Sequence, residues 1–173
     1  GIVNGIDFHN TGATRRVNSK AIKAQLAGDA IVVVPPIGYS PSGETFVLSS
    51  RELARDIACA LVSEKLIYLS EDDGIRSVSG DIINELQENQ LDLSSIDPAH
   101  RDLAELTARA SLRGVNRCHI ISFKKDGALL NELFTRDGAG TQVIRESYEK
   151  LRAAGAEDVA GIIALIEPLE TAG

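Results

Sequence analysis

Three short apolar runs constrain the fold of this 173-residue chain most: residues 30–34 (Ala-Ile-Val-Val-Val), 66–69 (Leu-Ile-Tyr-Leu) and 118–122 (Cys-His-Ile-Ile-Ser). In each, apolar residues follow one another instead of alternating with polar ones, as in a strand covered on both faces. Helical patterns separate them. Ala21, Ile22, Ala24 and Leu26 outline one that ends near Gly28. A second starts at Ser49 or Ser50, where Ser49 and Glu52 form a capping box, and buries Leu53, Ile57 and Leu61 with Ala54 and Ala58 beside them. A third is announced by Asp97-Pro98, carries Leu103, Leu106 and Ala110, and stops at Gly114. Strand, helix and strand in succession predict a layered α/β/α fold with a mainly parallel sheet. Ser40-Pro41-Ser42-Gly43 and Asp72-Asp73-Gly74 read as hairpin turns.

Charge and composition remove several function classes. Eighteen basic against 25 acidic residues give a net charge of −7, which argues against nonspecific nucleic-acid binding. No apolar run approaches the roughly 20 residues of a membrane helix and no signal-peptide pattern opens the chain, so a cytoplasmic, membrane-free protein is expected. Cys59 and Cys118 lack a Cys-x-x-Cys pair and a histidine cluster, and read as small buried hydrophobes. Glu71-Asp72-Asp73 lacks calcium-loop spacing and reads as a solvated turn; no metal is expected. His9, His100 and His119 stand near no nucleophile motif, and His119 reads as a hydrogen-bonded core histidine.

Residues 120–144 carry the densest information. An apolar strand end leads into a short amphipathic helix with Asp126 as its N-cap and Leu129, Leu130, Leu133 and Phe134 as its apolar face. A turn follows, Arg136-Asp137-Gly138-Ala139-Gly140-Thr141. Glycines there admit close approach of a ligand to the backbone, and Glu132 and Asp137 offer carboxylates to a cation. The combination suits a small, positively charged amino acid better than a phosphate. The same residues also fit a plainer reading: Glu132 and Arg136, four apart, as a helix-surface ion pair, and Asp137-Gly138 as an ordinary turn.

This segment resembles the end of the amino-acid-kinase domain of bacterial N-acetylglutamate synthases, the first enzymes of arginine biosynthesis. Gly5-Ile6-Asp7-Phe8-His9 with Thr11-Gly12 and Arg15-Arg16 forms a second similar block, and residues 36–69 a third, in the same order. The resemblance implies a partial amino-acid-kinase-like domain over residues 1–144. Residues 145–173 are then a linker and the first strand and helix of an acetyltransferase domain, carried by residues 151–170. The chain is accordingly read as an excerpt of a longer polypeptide, in which an isolated half-domain would expose apolar surface.

The resemblance also implies acetyl transfer from acetyl-CoA to L-glutamate by the intact protein, with acetyl-CoA bound outside this chain and no catalytic residue on it. L-Arginine is the implied effector, held near the glycine-rich turn by Glu132, Asp137, Gly138, Gly140 and Thr141, with Lys124 or Lys125 at its carboxylate. A homo-oligomer is implied as well. Where related kinases carry an Asn-x-Asn-Ala-Asp segment, Val47-Leu48-Ser49-Ser50-Arg51 stands here, and the stretch around Asp102 offers no lysine, which disfavours acetylglutamate kinase activity. A non-catalytic amino-acid-binding module is the other alternative.

Overall fold

The computed structural model describes residues 9–134 and 139–144, together with the backbone of residues 2–3 and 6–7. Along the chain run β1 (Ile2–Val3), β2 (Ile6–Asp7), β3 (Thr11–Gly12), α1 (Ser19–Leu26), β4 (Ile37–Tyr39), β5 (Thr45–Leu48), α2 (Ser50–Leu61) and β6 (Lys65–Ser70). They continue with β7 (Glu85–Gln87), α3 (Arg101–Leu112), β8 (Arg117–Ser122), α4 (Ala128–Phe134) and β9 (Thr141–Ile144). The layered α/β arrangement expected from the strand–helix rhythm is present, and no helix among the described residues is long and apolar enough to cross a membrane.

The central sheet has the order β6-β8-β9-β7. β6 and β8 run parallel over six residue pairs, from Lys65↔Arg117 to Ser70↔Ser122, β7 and β9 are parallel, and β8 and β9 are antiparallel. β8 is buried from Cys118 to Ser122, as in a strand covered on both faces. Cys118 and Ile120 enter the main core with Leu66 and Tyr68 of β6 and with Leu103, Ala104 and Ala110 of α3. Side chains alternate along a strand, so His119 points away from that core, towards α4. Helices thus flank this part of the sheet on both faces.

Local signals explain the element ends. Ser49 accepts a hydrogen bond from the Glu52 N–H (3.4 Å) and starts α2. The turn at residues 40–43 closes the β4–β5 hairpin, with Gly43 at φ +87. Gly114, at φ +101, follows α3 in the left-handed conformation that a side chain resists. Both cysteines are buried and free, and burial pushes the Cys118 thiol up to about 12.

Four expectations need correction. Residues 30–34 form no strand; Ile31 is 93% and Val33 86% exposed, because no neighbouring strand among the described residues pairs with them. Leu129, Leu130, Leu133 and Phe134 are not the buried face of α4, which instead buries Ala128 and Glu132. The buried His119–Glu132 pair decides that rotation. α3 begins at Arg101, three residues after Pro98: Asp97 first closes a turn, accepting from the Ala99 N–H at 2.9 Å. The reversal expected at residues 72–74 lies at residues 77–80, where the Gly80 N–H reaches the Ser77 carbonyl and the Arg76↔Ile82 bridge flanks it. Residues 145–173, assigned above to a linker and a second domain, lie outside the described residues.

Candidate functional site

The glycine-rich turn leads directly into β9, and three residues expected to form a ligand site stand at its described part. Glu132 lies on α4, Gly140 precedes β9, and Thr141 is its first residue. Asp137 and Gly138 lie outside the described residues.

Glu132 faces inward. One carboxylate oxygen pairs with His119 Nδ1, and the other accepts from the Ala139 N–H at 2.6 Å. The side chain therefore joins three elements: β8 through the imidazole, its own helix α4, and the turn through a main-chain amide. A buried carboxylate is tolerated only where such partners replace water. Burial holds His119 below the usual imidazole range; the Glu132 charge and hydrogen bond oppose this, and Lys65 and Arg117 act with burial. A neutral ring that donates from Nδ1 leaves a lone pair on Nε2, and that atom has no partner among the described residues.

Gly140 sits where no side chain fits. A Cβ there would lie 2.0 Å from the Ile120 carbonyl oxygen and 3.1 Å from that of Asp73. This close approach lets the turn descend onto β8 and establishes the Ile120↔Thr141 pairing. The Thr141 hydroxyl is fully committed: it accepts from the Ile75 N–H (2.7 Å) and donates to the Ile83 carbonyl (2.6 Å). It thereby pins the loop of residues 74–83 onto the start of β9. Glu132 thus holds the Ala139 amide, Gly140 packs its main chain against β8, and Thr141 ties the loop of residues 74–83 to the start of β9. Lys124 stands nearby on the loop after β8, in an exposed pair with Glu71 (3.0 Å).

His119 is the residue that sequence reasoning placed in the core without its role at the turn. Its partner lies 13 residues away on a different element, so no periodic spacing signals the pair. Nor do the described residues offer a phosphoryl-transfer site of the expected kind. Arg51 stands in the first turn of α2, its carbonyl accepting from the Tyr68 hydroxyl (2.7 Å), and α3 carries no lysine. No group of three or more histidine, cysteine or acidic side chains among the described residues converges as a metal site.

Comparison with known proteins places this geometry in a family. The chain is 43% identical to an amino-acid acetyltransferase of Pseudomonas paraeruginosa over an alignment of 182 residues, covering all of this chain and 41% of that protein. The fold is similar to the crystal structure of N-acetylglutamate synthase from Neisseria gonorrhoeae complexed with coenzyme A and N-acetyl-glutamate (TM-score 0.79, 36% identity, 100% of this chain, 41% of that one). It is also similar to that of the same enzyme complexed with coenzyme A and L-arginine (TM-score 0.83, 35% identity, 97% and 40%). The chain therefore spans about two fifths of the length of these relatives. The amino acid kinase family model matches residues 2–122, well over half the chain. This chain belongs to the amino acid kinase family.

Proposed function

We propose that the polypeptide to which this segment belongs is an amino-acid N-acetyltransferase that moves the acetyl group of acetyl-CoA onto the amino group of L-glutamate, the first step of arginine biosynthesis. This segment is its arginine-sensing and oligomerisation domain. The observation that carries the reading is the likeness, over 97% of this chain, to an N-acetylglutamate synthase that holds both coenzyme A and L-arginine. Acetyl-CoA and L-glutamate bind outside residues 1–173, and the acyl transfer uses no catalytic residue of this segment and no metal. The enzyme works in the cytoplasm as a homo-oligomer.

Arginine is sensed at the turn of residues 136–141. The committed carboxylate of Glu132 makes it a positioning residue, since it holds the Ala139 amide and so sets the backbone that faces the ligand. Asp137 supplies the carboxylate that meets the guanidinium, whose planar fork suits bidentate pairing. Gly138 and Gly140 give main-chain access, and Thr141 locks the base of the turn. Lys124 or Lys125 meets the ligand's carboxylate. With Arg51 in α2 and no lysine on α3, acetyl transfer from acetyl-CoA fits better than phosphorylation of acetylglutamate.

The test is an assay of the full-length gene product for coenzyme A release from acetyl-CoA. The expected result is release that depends on L-glutamate and changes with added L-arginine, without ATP consumption in the presence of acetylglutamate. Absence of glutamate-dependent release would refute the activity. Release that ignores arginine would refute the sensing role alone.

A further inference from the structure

Residues 71–75, the start of the loop that leaves β6, meet three separate parts of the fold. The Ser122 hydroxyl at the end of β8 donates to the Glu71 carbonyl (3.3 Å), and Lys124 pairs with the Glu71 carboxylate (3.0 Å). On the glycine-rich turn, Gly140 lies against the Asp73 carbonyl, and the Thr141 hydroxyl accepts from the Ile75 N–H (2.7 Å). Gly74 closes on the same threonine so tightly that a Cβ there would lie 2.6 Å from its hydroxyl oxygen. The third contact comes from His100, which stands immediately before α3 and brings Nε2 to 3.2 Å from Asp72 Oδ2. His100 is buried, yet it gives its own helix no side-chain hydrogen bond, and its Nδ1 has no partner among the described residues. A residue that served only to start α3 would turn an acceptor to the free N–H groups of the first turn. This ring is aimed at the loop instead, with Asp72 as its one hydrogen-bond partner among the described residues.

Charge explains why the loop needs that contact. Glu71, Asp72 and Asp73 are consecutive acids whose carboxylates repel one another. Lys124 engages the first, and the tautomer of His100 that donates from Nε2 engages the second. We infer that His100 is a positioning residue for the glycine-rich turn. By holding Asp72 it fixes residues 71–75, and these hold Thr141 through the Ile75 amide and set the Asp73 carbonyl against Gly140. The inference rests on the reading of that turn as the L-arginine sensor: His100 then tunes the affinity for arginine without touching it. Glu132 fixes the turn from α4 through the Ala139 amide, and His100 fixes its base from the start of α3.

The experiment uses the full-length gene product and two readouts: amide hydrogen exchange of peptides covering residues 139–144 without ligand, and calorimetric titration with L-arginine. In His100→Leu those amides are expected to exchange roughly tenfold faster than in the wild type, and arginine to bind roughly tenfold more weakly. His100→Gln, whose side-chain amide offers an N–H to the same carboxylate, is expected to restore both. Asp72→Ala, at a side chain 54% exposed and so free of any cavity left in the core, is expected to reproduce His100→Leu. The double variant is expected to be no worse than either single one, as two partners of one bond require. Equal exchange at residues 139–144 in the wild type and Asp72→Ala, or a His100→Gln as impaired as His100→Leu, would overturn the inference. A wild type that binds no L-arginine would refute the sensing reading, and the exchange comparison then still decides whether His100 positions the turn.

Discussion

Replacing Gly140 by alanine tests the close approach that brings the turn onto β8. The added Cβ would meet the Ile120 carbonyl oxygen at 2.0 Å, its carbonyl carbon at 3.0 Å and the Asp73 carbonyl oxygen at 3.1 Å. All three atoms are main chain, so no rotamer change relieves the contact. Reaching the shortest separation found for real Cβ atoms, 3.0 Å, requires the turn and β8 to part by about 1 Å (3.0 − 2.0). A shift of that size at the neighbouring residue opens the two Thr141 hydrogen bonds, now 2.7 and 2.6 Å, past useful length. Overpacking of this kind costs about 1–3 kcal/mol, and two lost buried hydrogen bonds about 1 kcal/mol each, which puts the destabilisation at about 3–5 kcal/mol. Gly28→Ala is the control: its Cβ would meet nothing closer than the Gln25 carbonyl oxygen at 3.5 Å, and a change within about 1 kcal/mol is expected. Urea titration followed by far-UV circular dichroism reads both variants. Equal midpoints for Gly140→Ala and Gly28→Ala would refute the reasoning.

Glu132→Ala removes the acceptor of both His119 Nδ1 and the Ala139 N–H, and a loss of about 2–4 kcal/mol is expected in the same titration, with Glu132→Gln losing less. His119 also gives the fold a pH dependence. Its folded-state value lies below the unfolded one near 6.5, so the unfolded chain binds more protons as the pH falls beneath about 6.5. Stability is therefore expected to be full above that pH and to decline below it, down to the folded value, with a slope that His119→Asn diminishes in urea titrations run from pH 7.5 to 5. On α4, Leu130→Ser is expected within about 0.5 kcal/mol of the wild type, because the side chain is exposed, whereas Ile120→Ala in the core should cost about 2–5 kcal/mol. Cys118 is expected to resist a thiol reagent in the native protein at pH 8 and to react on unfolding, since its thiol is buried and pushed up to about 12.

Sequence pattern revealed most where local chemistry decides the outcome. Ser49 caps α2, residues 40–43 close a hairpin, and the apolar runs at 66–69 and 118–122 fall in β6 and β8, which pair directly. Pattern misled where a distant partner decides. Residues 30–34 read as a buried strand because their β-branched run carries that signature, but a strand exists only with a neighbour to bond to. The leucines of α4 looked like its core face because apolar residues normally turn inward. A hydrogen-bonded carboxylate competes for the same position, and the Glu132–His119 pair, together with the Ala139 amide, turns the leucines outward. At the candidate site the glycines and Thr141 could be singled out from composition alone. The inward direction of Glu132 could not, because His119 lies on β8 and only the fold brings it near.

We hold as the central proposal that the turn held by Glu132 and Gly140 senses L-arginine in the full-length gene product, and isothermal titration of L-arginine into that protein tests it most directly. The wild type is expected to bind, Asp137→Asn and Gly140→Ser to lose most of the heat while the protein stays folded by circular dichroism, and Leu130→Ser to bind as the wild type does. Undiminished arginine binding by both Asp137→Asn and Gly140→Ser would contradict the account and move the effector site elsewhere on the molecule.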